Sequence, residues 1–381
     1  MTFSFKTAEE IVFGDGAAAR LPAFVGSFGS RAFLVLDPYL DESRPPVAGI
    51  APEMQTIRSS GEPTVEGIRA ATLQARAFAP DVVVGIGGGS TMDMAKAIGI
   101  LLRNDGDVLD YLEVVGVGKP LVAESVPVIA VPTTAGTGAE VTANTPIYSP
   151  EHQVKASLRS PAMVPDIALI DPALTASTPR SVTASSGLDA LTQCLEPYTS
   201  RFANDFTDLF ALEGLRRAAR GLRAAYADGS DMAARTDMAM CSLLGGLSLA
   251  NAKLGAVHGL AAPLGGMIGA AHGEICASLL AVATEVNVAA MQAREPDNPA
   301  LARYSEAARI LAGDPQASVD DGVAWIRETV NMLGVRPLSQ LGLTQERIPE
   351  AAEKGMVASS MKGNPIVLTL GEVTEIVTRS M

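Results

Sequence analysis

The chain has 381 residues and a formal net charge of −13. Its hydrophobic content of 48%, against 19% charged residues, supports two packed cores and excludes a disordered protein. The negative charge argues against nucleic acid or an anionic membrane surface as the main partner. The three cysteines lack CxxC or zinc-ribbon spacing, and the amino terminus lacks the apolar core of a signal peptide. We therefore expect a cytoplasmic protein with reduced thiols.

The first half of the chain alternates β-branched runs with helical patterns. The predicted strands are 32–36, 81–86, 126–131 and 167–170, and the predicted helices are 65–79 and 90–102. Such strands without a polar face indicate a parallel sheet covered on both sides. Later Ala/Leu-rich segments predict helices over 205–227, 234–249, 274–293 and 319–333. We expect an α/β domain over residues 1–178 and an all-helical domain over 179–381.

A glycine-rich turn, Gly87-Gly88-Gly89-Ser90, directly follows the predicted strand 81–86. Three glycines let the backbone approach a ligand closely and leave N–H donors free. Ser90 and Asp93 have the spacing of a capping box, which predicts a helix start at the turn. This arrangement suits the pyrophosphate of a dinucleotide, and it is equally compatible with an ordinary capped turn.

Two further segments are candidates for binding the same cofactor. Asp37 ends the strand 32–36, where a carboxylate can bind ribose hydroxyls and repel a 2′-phosphate, which favours NAD over NADP. It precedes the glycines by fifty residues, whereas the common fingerprint places the acid about twenty residues after them. The hydroxyls of Thr133, Thr134 and Thr137 can bind ribose and nicotinamide. A turn-forming Asp-Pro and a solvated loop are the alternatives.

The segment 254–273 contains no charged residue and holds two of the three histidines, His258 and His272. On one straight helix their separation of fourteen residues would span about 21 Å, too far to share an ion. Pro263 and the glycines that follow it predict a break that lets two helices converge. The histidines are either metal ligands or buried side chains with hydrogen-bond partners.

Asp189 and Gln193 stand four residues apart, on one face of a predicted helix. Asp189 lies in an otherwise apolar stretch, which indicates a charge with a partner. Together with the two histidines these residues form a mixed nitrogen and oxygen ligand set that is compatible with Fe²⁺ or Zn²⁺. A helix-capping aspartate is the alternative.

Taken together, the motifs resemble the iron-containing (group III) alcohol dehydrogenase family over essentially the whole chain. They are Gly87–Lys96, Pro132–Glu140, Lys155 with Pro165–Thr175, Gly187–Thr192, Leu254–Gly259 and Ala271–Gly273. The resemblance implies a Rossmann-like nucleotide domain and an all-helical metal-binding domain, the dehydroquinate synthase-like arrangement. It also implies a cleft where a divalent metal polarises a substrate oxygen beside NAD.

The family's metal positions fall on Asp189, Gln193, His258 and His272, and Lys155 joins the candidates for cofactor binding. Three positions depart from the family pattern. Gln193 stands where histidine is usual, Ala262 stands where a second histidine often relays protons, and Glu62-Pro63-Thr64 replaces Asn-Pro.

We expect reversible hydride transfer between NAD(H) and a small alcohol, carried out by a homodimer. Asp189, His258, His272 and Lys253 are the catalytic candidates. Lys253 and Lys362 could bind an anionic substrate group or transfer a proton, and solvated lysines are the alternative. A dehydroquinate synthase-like lyase, a metal-independent reductase of the maleylacetate type and a non-catalytic nucleotide-binding relative remain open.

Overall fold

A computed structural model of the chain describes residues 3–59 and 61–381. Two compact units are present. The first, called the sheet unit, contains the described residues of 6–134 and 138–176. The second, called the helical unit, contains residues 3–5, 135–137 and 177–381.

The sheet unit is built on a six-stranded parallel sheet with the strand order β1-β8-β5-β4-β2-β3, and β6 and β7 form a separate antiparallel pair. The strands are β1 (Glu10–Phe13), β2 (Arg31–Leu36), β3 (Glu53–Arg58), β4 (Val82–Gly87), β5 (Val128–Pro132), β6 (Asn144–Ser149), β7 (Val154–Arg159) and β8 (Ile167–Ile170). The helices are α1 (Leu21–Phe28), α2 (Val65–Phe78), α3 (Gly89–Leu101) and α4 (Val108–Tyr111). Short 3₁₀ turns cover Ala17–Arg20, Ala139–Val141, Pro161–Met163 and Pro172–Thr175.

Both faces of the central strands are buried, because successive side chains of β2 and β4 enter different apolar cores. Leu34 and Val84 lie in one core, whereas Phe33 and Val83 lie in the other. Continuous apolar runs such as those of β2 and β4 are typical of a parallel sheet with helices on both faces. The predicted fold class is confirmed.

The helical unit is all-helical beyond the short 3₁₀ turns. Its helices are α5 (Arg180–Thr199), α6 (Asp205–Ala227), α7 (Met232–Ala252), α8 (Ala256–Ile268), α9 (His272–Arg294), α10 (Ala300–Ala312), α11 (Val319–Met332), α12 (Ile348–Val357) and α13 (Leu370–Arg379). The 3₁₀ turns are Gln345–Arg347 and Ser360–Gly363. Helix α9 is long and apolar enough to cross a membrane, but 78% of its most apolar stretch is buried within the fold. Most of this stretch therefore packs inside the helical unit.

One local prediction was wrong and another was confirmed in a narrower form. Gly88, not Ser90, precedes α3, and no side chain caps this helix, so the predicted Ser90–Asp93 capping box does not form. Gly88 is extended (φ −72°, ψ −179°) and Gly89 is already helical, which leaves Ser90 inside the first turn. The predicted break between the two histidines is present. Helix α8 runs through Pro263 and ends at Gly269, whose φ of +69° is left-handed and favours glycine.

Candidate active site

Strands β2, β4 and β5 are neighbours in the sheet, so the residues that follow them lie along one edge. The Asp37 N–H donates to the Ile86 carbonyl at 2.9 Å, and the Thr133 N–H donates to the Gly87 carbonyl at 2.9 Å. The chain order reverses between β2 and β4, and ligands of open α/β sheets bind at such a switch point. The segments that follow β2, β4 and β5 are distant in sequence but adjacent in the sheet unit, at the switch point where a ligand is expected.

The glycine turn joins β4 to α3 without a side chain on its outer surface. The first N–H groups of a helix have no partner within the helix, and together with the helix dipole they attract an anion. A Cβ atom on Gly87 would lie 2.5 Å from the Thr91 hydroxyl oxygen, so this glycine is required by packing. A Cβ on Gly88 would find its nearest neighbour, the Thr134 hydroxyl oxygen, at 3.5 Å, an ordinary contact.

Asp93 lies one turn into α3 and is engaged by an internal ion pair. Its Oδ1 is 2.7 Å from Nζ of Lys96, a fully buried ammonium that also donates to the carbonyls of Ala139 and Asn144. Burial raises the pKa of Asp93, and Lys96 opposes that shift. The nearby Glu140 is buried as well, and burial raises its pKa to about 7. These contacts tie the base of the helix to the loop after β5.

The remaining cofactor candidates also have protein partners. The Asp37 carboxylate accepts the Tyr39 N–H at 3.0 Å, as in the turn-forming alternative. Lys155, on β7, forms an ion pair with Glu62. Thr137 belongs to the helical unit with Ala135 and Gly136. The cofactor roles of these residues stay predictions.

Asp189, His258 and His272 come together in the helical unit. Asp189 lies on α5, His258 in the first turn of α8, and His272 at the start of α9. Oδ1 of Asp189 is 3.3 Å from Nε2 of His258 and 3.9 Å from Nε2 of His272. A fourth residue, Cys276, places Sγ 3.5 Å from His272 Nε2, and the four ligand atoms all lie within 4.8 Å of one another.

Buried polar atoms without partners make this cluster a candidate cation site. Among the described residues, Asp189 Oδ1, His258 Nε2 and Gln193 Oε1 are buried and accept or donate no hydrogen bond. Leaving such atoms unpaired costs about 1–3 kcal/mol each, and a divalent cation would satisfy them. The donor set therefore fits a metal ion such as zinc or iron. The His272 side chain is 34% exposed, which leaves one side of the cluster open.

Glu196 fixes the orientation of His258. One carboxylate oxygen is 2.7 Å from His258 Nδ1, and the other accepts the Val257 N–H at 2.7 Å. With Nδ1 donating to the carboxylate, Nε2 is directed at the cluster. Burial alone would raise the pKa of Asp189, but His258 and His272 hold it below its ordinary value. Asp189 is thus a carboxylate.

The other predicted residues of this unit are placed as follows. Gln193 donates from Nε2 to Asp189 Oδ2 at 3.0 Å, as the spacing of four residues predicts. Lys253 is exposed, and its ammonium lies 4.0 Å from the centre of the Phe202 ring. Lys362 is exposed in the 3₁₀ turn Ser360–Gly363. A catalytic role of Lys253 and metal ligation by Gln193 stay predictions.

Comparison with known proteins identifies the family. The iron-containing alcohol dehydrogenase model matches residues 8–172, and the model of the C-terminal part of the Fe-containing alcohol dehydrogenase family matches residues 183–381. The chain belongs to the iron-containing alcohol dehydrogenase family. It is 32% identical over 377 residues to a choline dehydrogenase of Bacillus subtilis (strain 168), covering 95% of this chain and 91% of that protein.

Solved structures of this alcohol dehydrogenase family share the whole fold. A 1,3-propanediol oxidoreductase superposes with a TM-score of 0.91 at 28% identity, with both chains fully covered. A sulfoacetaldehyde reductase from Bifidobacterium kashiwanohense in complex with NAD⁺ superposes with a TM-score of 0.87 at 27% identity, covering 100% of this chain and 98% of the other. The predicted family and oxidoreductase activity are confirmed, and the lyase and metal-independent alternatives are not favoured.

The sequence analysis did not identify Cys276 or Glu196 as site residues, although their helical spacing from His272 and Asp189 could have indicated them. Cys276 follows His272 by four residues, so the two share a face of α9. Glu196 follows Asp189 by seven residues, two turns along α5, in a mostly buried helix. Polar residues at such spacings on a buried helix predict a common partner.

Proposed function

We propose that the protein catalyses reversible hydride transfer between NAD(H) and a small alcohol or its aldehyde or ketone. Residues 1–178 would bind the dinucleotide, and residues 179–381 would hold a divalent metal. The observation that carries this proposal is the buried cluster of unpaired Asp189 and His258 atoms beside His272. A divalent cation held there supplies a Lewis acid for the substrate oxygen.

The residues of the chain prepare both sites. Gly88 and Gly89 present backbone N–H groups for the pyrophosphate, with Ser90 in the same turn and Asp93 one turn further along α3. Asp37 binds the ribose hydroxyls, and Thr133, Thr134, Thr137 and Lys155 complete the cofactor site. Asp189, His258 and His272 hold the metal, with Gln193 beside them and Glu196 orienting His258. The partly exposed side chain of His272 lies where a small substrate can reach the cluster.

Steady-state assays with the full chain test this function. We expect oxidation of NADH with short aldehydes, loss of that activity after chelation, and its return when Zn²⁺ or Fe²⁺ is added back. Asp189→Asn should abolish turnover while NADH still binds, because Asp189 belongs to the metal cluster and is not one of the proposed cofactor residues. Retained turnover in the metal-free protein would contradict the proposed mechanism.

We also propose a cytoplasmic homodimer. The described cysteines are free, and the sulfur atoms of Cys194 and Cys241 lie 3.9 Å apart without a disulfide, as is usual in a reducing compartment. Phe3 and Phe206 stack with ring centroids 5.8 Å apart, and both remain substantially exposed. An exposed aromatic patch of this kind favours self-association. Sedimentation of the wild type and of Phe206→Ser tests the dimer.

A further inference from the structure

The four-atom cluster differs in composition from the Asp/Gln/His/His set that the sequence predicts. Its fourth member is the thiol of Cys276, a fully buried residue one helical turn after His272. A tetrahedral site with bonds of about 2.0–2.3 Å has ligand-to-ligand edges of about 3.3–3.8 Å. Three of the six separations among Asp189, His258, His272 and Cys276 are 3.3, 3.5 and 3.9 Å, close to those edges, and all six are within 4.8 Å.

Gln193 has a different relation to the cluster. Its amide nitrogen donates to Asp189 Oδ2 and orients the carboxylate, whereas its amide oxygen is buried and accepts no hydrogen bond. This hydrogen bond leaves Asp189 Oδ1 as the oxygen directed at His258 and His272. Gln193 thus acts as a positioning residue for Asp189.

We propose that Cys276 binds the metal as a thiolate, together with Asp189, His258 and His272, and that the site prefers zinc to iron. The S–H bond breaks and a sulfur–metal bond forms, and the proton passes to the buffer. One thiolate and one carboxylate neutralise the dication in a buried site, where an uncompensated charge is costly. Soft thiolate ligands favour zinc. This inference rests on the metal site of the proposed function.

Cobalt replaces zinc in such sites and reports thiolate ligation directly, through a sulfur-to-cobalt charge-transfer band in the near ultraviolet. The full chain, stripped of metal and loaded with one equivalent of Co²⁺, should show this band. Cys276→Ser should lose the band and bind the metal more than about 100-fold more weakly, since even loss of an outer partner costs about 10–100-fold. Cys276→Ala should lose the band as well.

Cys241→Ser is the matched control, because Cys241 is also a fully buried free thiol but lies on α7 beside Cys194. It should keep the band. Binding of NADH to each variant verifies that the sheet unit is folded, and circular dichroism verifies the helices.

The outcomes separate this inference from the function on which it rests. Two results would overturn thiolate ligation: one equivalent of bound Co²⁺ in the wild type without the charge-transfer band, or a band that persists in Cys276→Ser. Neither result would contradict the metal site itself. No bound Co²⁺ or Zn²⁺ in the wild type overturns the metal site itself. Retention of Fe²⁺ against an equal concentration of Zn²⁺ under anaerobic conditions overturns the preference for zinc.

Discussion

Glu196 and His258 form a buried pair in which Oε2 of the carboxylate lies 2.7 Å from Nδ1 of the imidazole. The second oxygen, Oε1, is held by the Val257 N–H, so the carboxylate cannot rotate freely. The pair fixes which nitrogen of His258 faces Asp189. A carboxylate that accepts a hydrogen bond from the second ring nitrogen of a metal-binding histidine commonly fixes the orientation of the ring.

Replacing Glu196 by glutamine should weaken metal binding by about 10–100-fold, because the neutral amide orients His258 less firmly and makes it less basic. Competition with a chromophoric chelator measures the change. Glu350→Gln, on the surface helix α12, is the control and should leave the affinity unchanged. An unchanged affinity in Glu196→Gln would show that the pair has only a packing role.

Two substitutions in the glycine turn should affect different properties, one the stability of the fold and the other the binding of the cofactor. Gly87→Ala should destabilise the fold by about 1–3 kcal/mol, because its Cβ would overlap the Thr91 side chain. Gly88→Ala should leave stability nearly unchanged, since its Cβ meets Thr134 only at 3.5 Å, but should weaken NADH binding. Denaturant unfolding and NADH fluorescence measure the two effects. Equal NADH affinity in Gly88→Ala and the wild type would contradict the proposed pyrophosphate site.

Asp37 should determine the choice of nicotinamide cofactor. Asp37→Gly removes the carboxylate that would repel the 2′-phosphate, so the ratio of kcat/KM for NADH over NADPH should fall about tenfold or more. Asp41→Gly is a close control. Asp41 lies four residues after Asp37, and its carboxylate accepts the Ser43 N–H in the same kind of turn. If both variants change the ratio equally, the effect belongs to the loop and not to the carboxylate.

Glu140 should make the stability of the sheet unit depend on pH. Its pKa is about 7 in the folded protein and close to 4.5 when exposed, so the unfolded chain releases this proton first as the pH rises. Stability is therefore lost between about pH 4.5 and 7, by about 3 kcal/mol in all. Relative to the wild type, Glu140→Gln should gain about 2.5 kcal/mol of stability on going from pH 5 to pH 8. Denaturant unfolding at the two pH values tests this, and a constant gap would contradict it.

The regular elements could be predicted because their signals are local. The apolar runs of β2, β4, β5 and β8 and the spacing along α6 need no distant contact to be recognised. Strand β3 was not predicted, because it is a polar, partly exposed edge strand, and the β6–β7 pair was missed because Pro146 and Lys155 interrupt its pattern.

The metal cluster was only partly predictable, because its members are joined by packing and not by sequence order. His258 and His272 were found through their uncharged surroundings, whereas Cys276 was treated as an ordinary buried thiol. The start of α3 depends on the extended conformation of Gly88, which the Ser90–Asp93 spacing does not reveal.

Residues 135–137 belong to the helical unit, although the chain on both sides of them belongs to the sheet unit. A Cβ on Gly136 would lie 2.7 Å from the Ser186 Cβ, so this short segment fits closely against α5. A truncated protein that ends at residue 176 would contain these three residues but lack the helices against which they pack. Engineers who wish to exchange one half between relatives should therefore graft the loop 135–137 together with the carboxyl-terminal half, as a discontinuous module.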